Sequence, residues 1–110
     1  MNTLSIYIND ELAYEYDRTT TLNDQQQEFL DKMDADMARG LKVGGELISA
    51  PDTRQRATFV ALNLIKGLQQ EDEARIAVAC AYLSSRMPHV VETHARDQGD
   101  RVAIEFVEEH

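Results

Sequence analysis

The fold is decided by residues 51–87, which read PDTRQRATFVALNLIKGLQQEDEARIAVACAYLSSRM. Apolar side chains recur in this stretch at intervals of three and four residues, the spacing of one face of an α-helix. The repeat is interrupted at residues 67–71, and Pro88 ends it, since proline lacks the N–H that a helix interior requires. The stretch therefore predicts two helices, over residues 51–68 and 72–87. The second is apolar almost all round, which is typical of a buried helix.

The start of the first of these helices is marked by Ser49-Ala50-Pro51-Asp52. Serine is a common N-cap, proline is tolerated in the first turn, and an acidic residue there completes a reciprocal cap. We therefore expect Ser49 to cap this helix.

A further helix is predicted upstream, over residues 22–39, where apolar residues again recur every three or four positions before Gly40. Residues 40–50 allow two interpretations. Gly44-Gly45 could turn a small hairpin that pairs residues 41–43 with 46–48, or the segment could be an irregular connector.

Both ends of the chain alternate between apolar and polar residues, the pattern of half-buried strands. The alternation predicts one hairpin over residues 4–16 and another over 89–107. The simplest assembly is an α+β fold in which a three-helix core packs on a small antiparallel sheet made from the two hairpins. With no repeat or linker, residues 1–110 are expected to form a single domain.

The charge and composition exclude several classes of function. Twenty acidic against eleven basic residues give a net charge of −9, which repels nucleic acid and anionic lipid surfaces. The chain contains no apolar run of the roughly twenty residues that a membrane helix needs. Cys80 is the only cysteine, so no intramolecular disulfide can form, and we expect a cytoplasmic protein.

Catalytic and metal chemistry find little support in the residue pattern. Cys80 lies among apolar neighbours, which disfavour the reactive thiolate. Of His89, Glu92 and His94, only Glu92 and His94 share a strand face, and the remaining histidine, His110, is the last residue. Two ligands on one face are too few for zinc, which needs three or four. We therefore expect no catalytic residue, no metal and no cofactor.

Acidic residues on the first predicted helix suggest paired-carboxylate chemistry at first sight. Catalytic carboxylates usually need one member withdrawn from water. Helical spacing places Glu28 and Asp31 on the solvent side and Asp34 and Asp36 beside the apolar stripe. A solvated polar face is the expectation for all four.

Arg54 and Arg56 form the only local basic focus. With the free N–H groups at the helix start near Pro51 they could bind a phosphate or carboxylate. Asp52, four residues before Arg56, would compete by forming an ion pair.

An interaction surface is the remaining candidate. Tyrosine is enriched at protein interfaces and methionine adapts to varied partners. A contact patch is predicted from Tyr7, Tyr14 and Tyr16 on the first hairpin, with Met33 and Met37 on the following helix. The alternative is that these side chains only cover the sheet edge and the core.

Four functions follow from these patterns, in decreasing order of support. The first is a non-catalytic accessory protein that binds another protein or a second copy of itself. The second is a small-ligand or anion-binding module at Arg54 and Arg56, and the third is an enzyme. The fourth is an acidic protein that binds a basic partner, which clustering of acids on one face would favour.

Overall fold

The computed structural model describes residues 3–19, 22–43, 45–99 and 101–108. The predicted α+β class is confirmed, with three helices and a hairpin at each end. In chain order the elements are β1 (Thr3–Ile8), β2 (Glu11–Asp17), α1 (Asp24–Met37), β3 (Leu41–Val43), β4 (Glu46–Ile48), α2 (Thr53–Gln69), α3 (Glu73–Arg86), β5 (Val90–Asp97) and β6 (Val102–Glu108).

The main sheet has the strand order β2-β1-β5-β6. The two hairpins are antiparallel, as predicted, but β1 and β5 run parallel, so the sheet is mixed rather than wholly antiparallel. The chain leaves β2 and enters β5 at the same end of the sheet. Arg18 joins the two points, since its guanidinium donates to the carbonyl oxygens of Val90, at 2.6 Å, and Pro88.

A β-bulge shifts the register of the first hairpin. Ile6 pairs with Tyr14 but Tyr7 pairs with Leu12, which leaves Ala13 without a partner on β1. Because paired residues share a face, Leu12 and Tyr14 point to opposite faces, although they are two residues apart.

Asp52, rather than Ser49, caps α2. Its carboxylate accepts from the backbone N–H of Gln55 at 2.8 Å, and the Gln55 side chain accepts from the N–H of Asp52 at 2.9 Å. The reciprocal cap thus lies three residues later than predicted, because Asp52 and Gln55 have the spacing of a capping box.

Gly67 lies inside α2 and does not interrupt it. A Cβ atom at this position would lie 3.2 Å from side-chain carbons of Arg75 and Ile76. Such a distance is tighter than ordinary van der Waals contact, so the glycine allows α2 and α3 to approach closely. The expected break falls instead at residues 70–72.

The core lies between α2, α3 and one face of the sheet. Its central side chains are almost completely inaccessible to water: Leu4, Ile6, Val60, Leu64, Cys80, Tyr82 and Leu83. Of the two structures that the sequence allowed for residues 40–50, the small hairpin is the one observed, formed by β3 and β4. Gly44 lies outside the described residues. None of the described helices combines the length and apolarity needed to cross a bilayer.

We expect Thr93→Val to stabilise the protein. Thr93 is fully buried on β5 between Ile6 and Phe106, and its hydroxyl oxygen has no hydrogen-bond partner among the described residues. Valine has nearly the same shape and removes a buried polar group that costs about 1–3 kcal/mol. Urea unfolding should show a gain of about 1 kcal/mol.

Thr58→Val provides the control, because this hydroxyl already donates to the Arg54 carbonyl on an exposed helix face. Its effect should stay within about 0.5 kcal/mol. A loss of stability in Thr93→Val would contradict the prediction.

Candidate functional site

The two arginines at the start of α2 each lie against a carboxylate. Arg54 is 3.5 Å from Glu108 on β6, and Arg56 is 3.5 Å from Asp34 on α1. The expected ion pair between Asp52 and Arg56 is not among these contacts, because the carboxylate of Asp52 caps the helix instead. The two guanidinium groups therefore lie beside different elements and do not form one anion-binding site.

Asp34 is the centre of a polar network that joins α1 to α2 and α3. Its carboxylate accepts from the Tyr82 hydroxyl at 2.5 Å and from Arg86 Nε at 2.8 Å, while Arg86 Nη2 donates to Asp31 at 2.8 Å. The expectation of a solvated carboxylate was wrong for Asp34, whose side chain is 25% exposed. The bonding partners are about fifty residues away in sequence, so helical spacing alone could not identify them.

The network shifts the protonation of its members. Burial of Asp34 opposes its ionisation, but hydrogen bonds from Tyr82 and Arg86, and the charges of Arg86 and Arg56, outweigh it and lower the pKa of Asp34. Burial, together with the hydrogen bond to Asp34, raises the pKa of Tyr82. Asp34 is therefore an acceptor that stays ionised, which suits attachment of a helix rather than proton transfer.

An apolar groove of about 520 Å³ lies between α1 and the pair formed by α2 and α3. Its wall on α1 consists of Phe29, Met33 and Met37, and Phe59 and Val78 face them from α2 and α3. The polar lining residues are Asp36, Asn63, Asp72 and Arg75. Its volume is within the range of pockets that hold ligands or partner side chains.

A second apolar groove of about 340 Å³ lies on the other flank of α1, against Tyr16, Ala77 and Ala81. Phe29 and Val78 line both grooves, and Phe29 is 52% exposed. We call the two grooves together the helical cleft. The cleft exists because α1 places only Leu30 and Met37 fully in the core.

The predicted tyrosine and methionine patch is divided by the structure. Met33 and Met37 line the larger groove and Tyr16 lines the smaller one. Tyr14 lies on the edge strand, 37% exposed. Tyr7 points to the opposite face of the sheet, where its ring stacks on His94 at 4.6 Å between centroids. Three of the five residues thus contribute to one surface.

The candidate catalytic and metal-ligating residues that the structure describes do not converge on one site. Cys80 is fully buried, and burial raises the pKa of its thiol to about 12. Glu92 and His94 share a face, as predicted, and are 2.7 Å apart, whereas His89 lies in the turn before β5. Within the described ranges, no three His, Cys, Asp or Glu side chains are placed to hold a metal ion. His110 lies outside those ranges.

Comparison of the chain with protein-family models, with curated proteins and with solved structures gave no match. Functional inference therefore depends on the surfaces of the molecule itself. Sequence patterns missed the helical cleft, although Val78 lies opposite the apolar stripe of its helix and thereby signals a second contact face.

Asp34→Asn should destabilise the protein at neutral pH by about 1–3 kcal/mol. The substitution weakens the hydrogen bonds with Tyr82 and Arg86 and removes one of the charged partners of the partly buried Arg86 guanidinium. The folded-state pKa of Asp34 is lowered, so its contribution is complete above its ordinary pKa of about 4. The contribution is lost as the pH falls through the folded-state value.

Urea unfolding of wild type and Asp34→Asn at pH 7 and at successively lower pH below about 4 measures this difference. We expect the difference in the free energy of unfolding between wild type and Asp34→Asn to decrease with falling pH. As a control, Asp36→Asn on the same helix should change the free energy of unfolding by less than about 0.5 kcal/mol. If this difference did not change with pH, the ionised carboxylate of Asp34 would not be its cause.

Proposed function

We propose that the protein is a non-catalytic interaction domain whose helical cleft binds an amphipathic helix of another protein. The observation that carries the proposal is the solvent-open apolar surface on both flanks of α1, with Phe29 at its centre. Grooves between helices are a common means of binding the apolar face of a partner helix, through side chains spaced three and four residues apart.

The lining of the cleft supports a helical occupant. Ala74, Ala77 and Val78 form its floor on α3, and these small side chains allow another helix to approach closely. Met33, which is only partly buried, can adjust its conformation to fit the side chains that enter. Burial of exposed apolar surface such as Phe29 favours the complex, and the entropy lost on association offsets part of that gain.

Charge favours a different protein over a second copy. Each copy has a net charge of −9, so self-association brings like charges together, whereas a basic partner is attracted over long range. The partner helix would accordingly carry lysine or arginine beside its apolar face. A homodimer, which the composition alone allowed, has less support.

Two further features fit a non-catalytic role in the cytoplasm. The buried Cys80 thiol has a raised pKa and is a poor nucleophile, and a lone cysteine suits a reducing compartment. Anion binding at Arg54 and Arg56 has less support than helix binding, because Glu108 and Asp34 already lie beside these guanidinium groups.

Photo-crosslinking in cells of the native host tests this function. We expect p-benzoylphenylalanine at Ala74 or Ala77, both exposed in the cleft, to give a discrete crosslink to one protein. The same group at Ala35, exposed on α1 but outside both grooves, should give none. Equal crosslinking at the three positions, or none at Ala74 and Ala77, would contradict the proposal.

Matched substitutions measure the energy of the same contact. Ala74→Glu and Ala77→Glu place a charge in an apolar groove and should weaken binding of the crosslinked protein at least about tenfold, since burying an unpaired charge is costly. Ala35→Glu makes the same change on the solvent side and should alter the affinity by less than about twofold. Thermal unfolding checks that all three variants are folded.

A further inference from the structure

The face of the main sheet that points away from the helices has an ordered arrangement of side chains. Cross-strand pairing places Leu12, Tyr7, His94 and Glu105 in one row across the four strands, and Glu15, Ser5, Glu92 and Val107 in the next. With strands about 4.8 Å apart, each row is about 14 Å wide. We call this surface the outer sheet face.

The outer sheet face is open to solvent in the part of the chain that the structure describes. The inward side chains Ile6, Thr93 and Phe106 pack toward α2 and α3, which places the helices on the other side. On the outward side Leu12 is 50% exposed and Val107 is 36% exposed. Leu12 lies on the edge strand β2 and Val107 on the edge strand β6, so the two exposed apolar side chains lie at opposite edges of the sheet.

The charge of this face is strongly negative. Glu15, Asp17, Glu92 and Glu105 all belong to it, and Glu92 is 2.7 Å from the His94 ring nitrogen. Its basic residue, Arg96, already lies 3.4 Å from Asp10. The acids surround an aromatic centre, where the rings of Tyr7 and His94 stack with an interplanar angle of 5°. The distribution fixes the charge of any partner, because another acidic surface would be repelled.

We propose that the outer sheet face binds an arginine-rich segment of a basic protein. A guanidinium group can form paired hydrogen bonds with a carboxylate and can stack on an aromatic ring. On this face Glu15 lies in the row next to that of Tyr7, whose ring is covered on one side by His94. Leu12 and Val107 would contact the apolar stems of the arginine side chains. Nucleic acid and a second copy opposed through the same face are both disfavoured by charge.

This interaction is independent of the helical cleft, which lies on the helical side of the molecule. The cleft recognises apolar side chains in grooves, whereas the outer sheet face recognises charge and planarity.

Calorimetric titration with an oligoarginine peptide at low and physiological salt tests the proposal. Glu15→Gln with Glu105→Gln removes two exposed carboxylates from the face, and Glu28→Gln with Glu46→Gln removes two exposed carboxylates elsewhere. Both double variants change the net charge from −9 to −7, since each loses two negative charges. The first should bind about tenfold more weakly and the second within about twofold of wild type.

The stacking contribution is tested with Tyr7→Leu and with oligolysine. We expect Tyr7→Leu to weaken oligoarginine binding about fivefold and to leave oligolysine binding within about twofold, because lysine does not stack on the ring as a planar group. Thermal unfolding confirms that the variants fold, and Ala77→Glu in the cleft should bind oligoarginine like wild type.

Three results would overturn the proposal. Equal weakening by the two double variants would show attraction by net charge alone. If oligoarginine did not bind at low salt, the outer sheet face would not be a binding surface for basic segments. If Tyr7→Leu weakened the binding of oligoarginine and oligolysine equally, the surface would have no preference for arginine. None of these results bears on the crosslinks at Ala74 and Ala77, so the two proposals stand or fall separately.

Discussion

Coverage of one face of the main sheet by α2 and α3 is the interaction on which the rest of the structure depends. Leu64 and Leu83 from these helices and Ile6 from the sheet meet in a core that is almost completely closed to water. Gly67 brings the two helices close enough to share that face. Because they occupy it, α1 remains at the periphery and the reverse of the sheet stays open, which creates both candidate surfaces.

The peripheral helix α1 is fastened by a polar network as well as by apolar contact. Leu30 and Met37 enter the core, while Asp34 forms hydrogen bonds with Tyr82 and Arg86 of α3, about fifty residues later in the sequence. Hydrogen bonds have directional requirements that apolar contacts lack, so the network fixes how far α1 stands from α3. The grooves on its two flanks therefore have a defined width before any partner arrives.

Local patterns predicted the elements well, since periodicity and turn residues act over a few neighbouring positions. They could not predict relations between distant segments. The parallel pairing of β1 with β5 depends on where the helices return the chain, and the bonds of Asp34 connect residues about fifty positions apart. The local pattern predicts a helix break at Gly67, whereas the absence of a side chain there serves the contact with Arg75 and Ile76 on the next helix, which a local pattern does not include. The bulge at Ala13 likewise sends Leu12 and Tyr14 to opposite faces, which divides the tyrosine patch.

The parallel pairing of β1 with β5 also affects how the chain folds. Asn9 accepts a hydrogen bond from the backbone of Asp97, a residue 88 positions later. Contacts of such high sequence separation slow folding, because a long loop must close before they form. During synthesis the N-terminal hairpin leaves the ribosome well before β5, so Leu4 and Ile6 remain without their final neighbours until most of the chain has been made. The nascent protein therefore passes through an interval in which an apolar strand edge is open to misassociation.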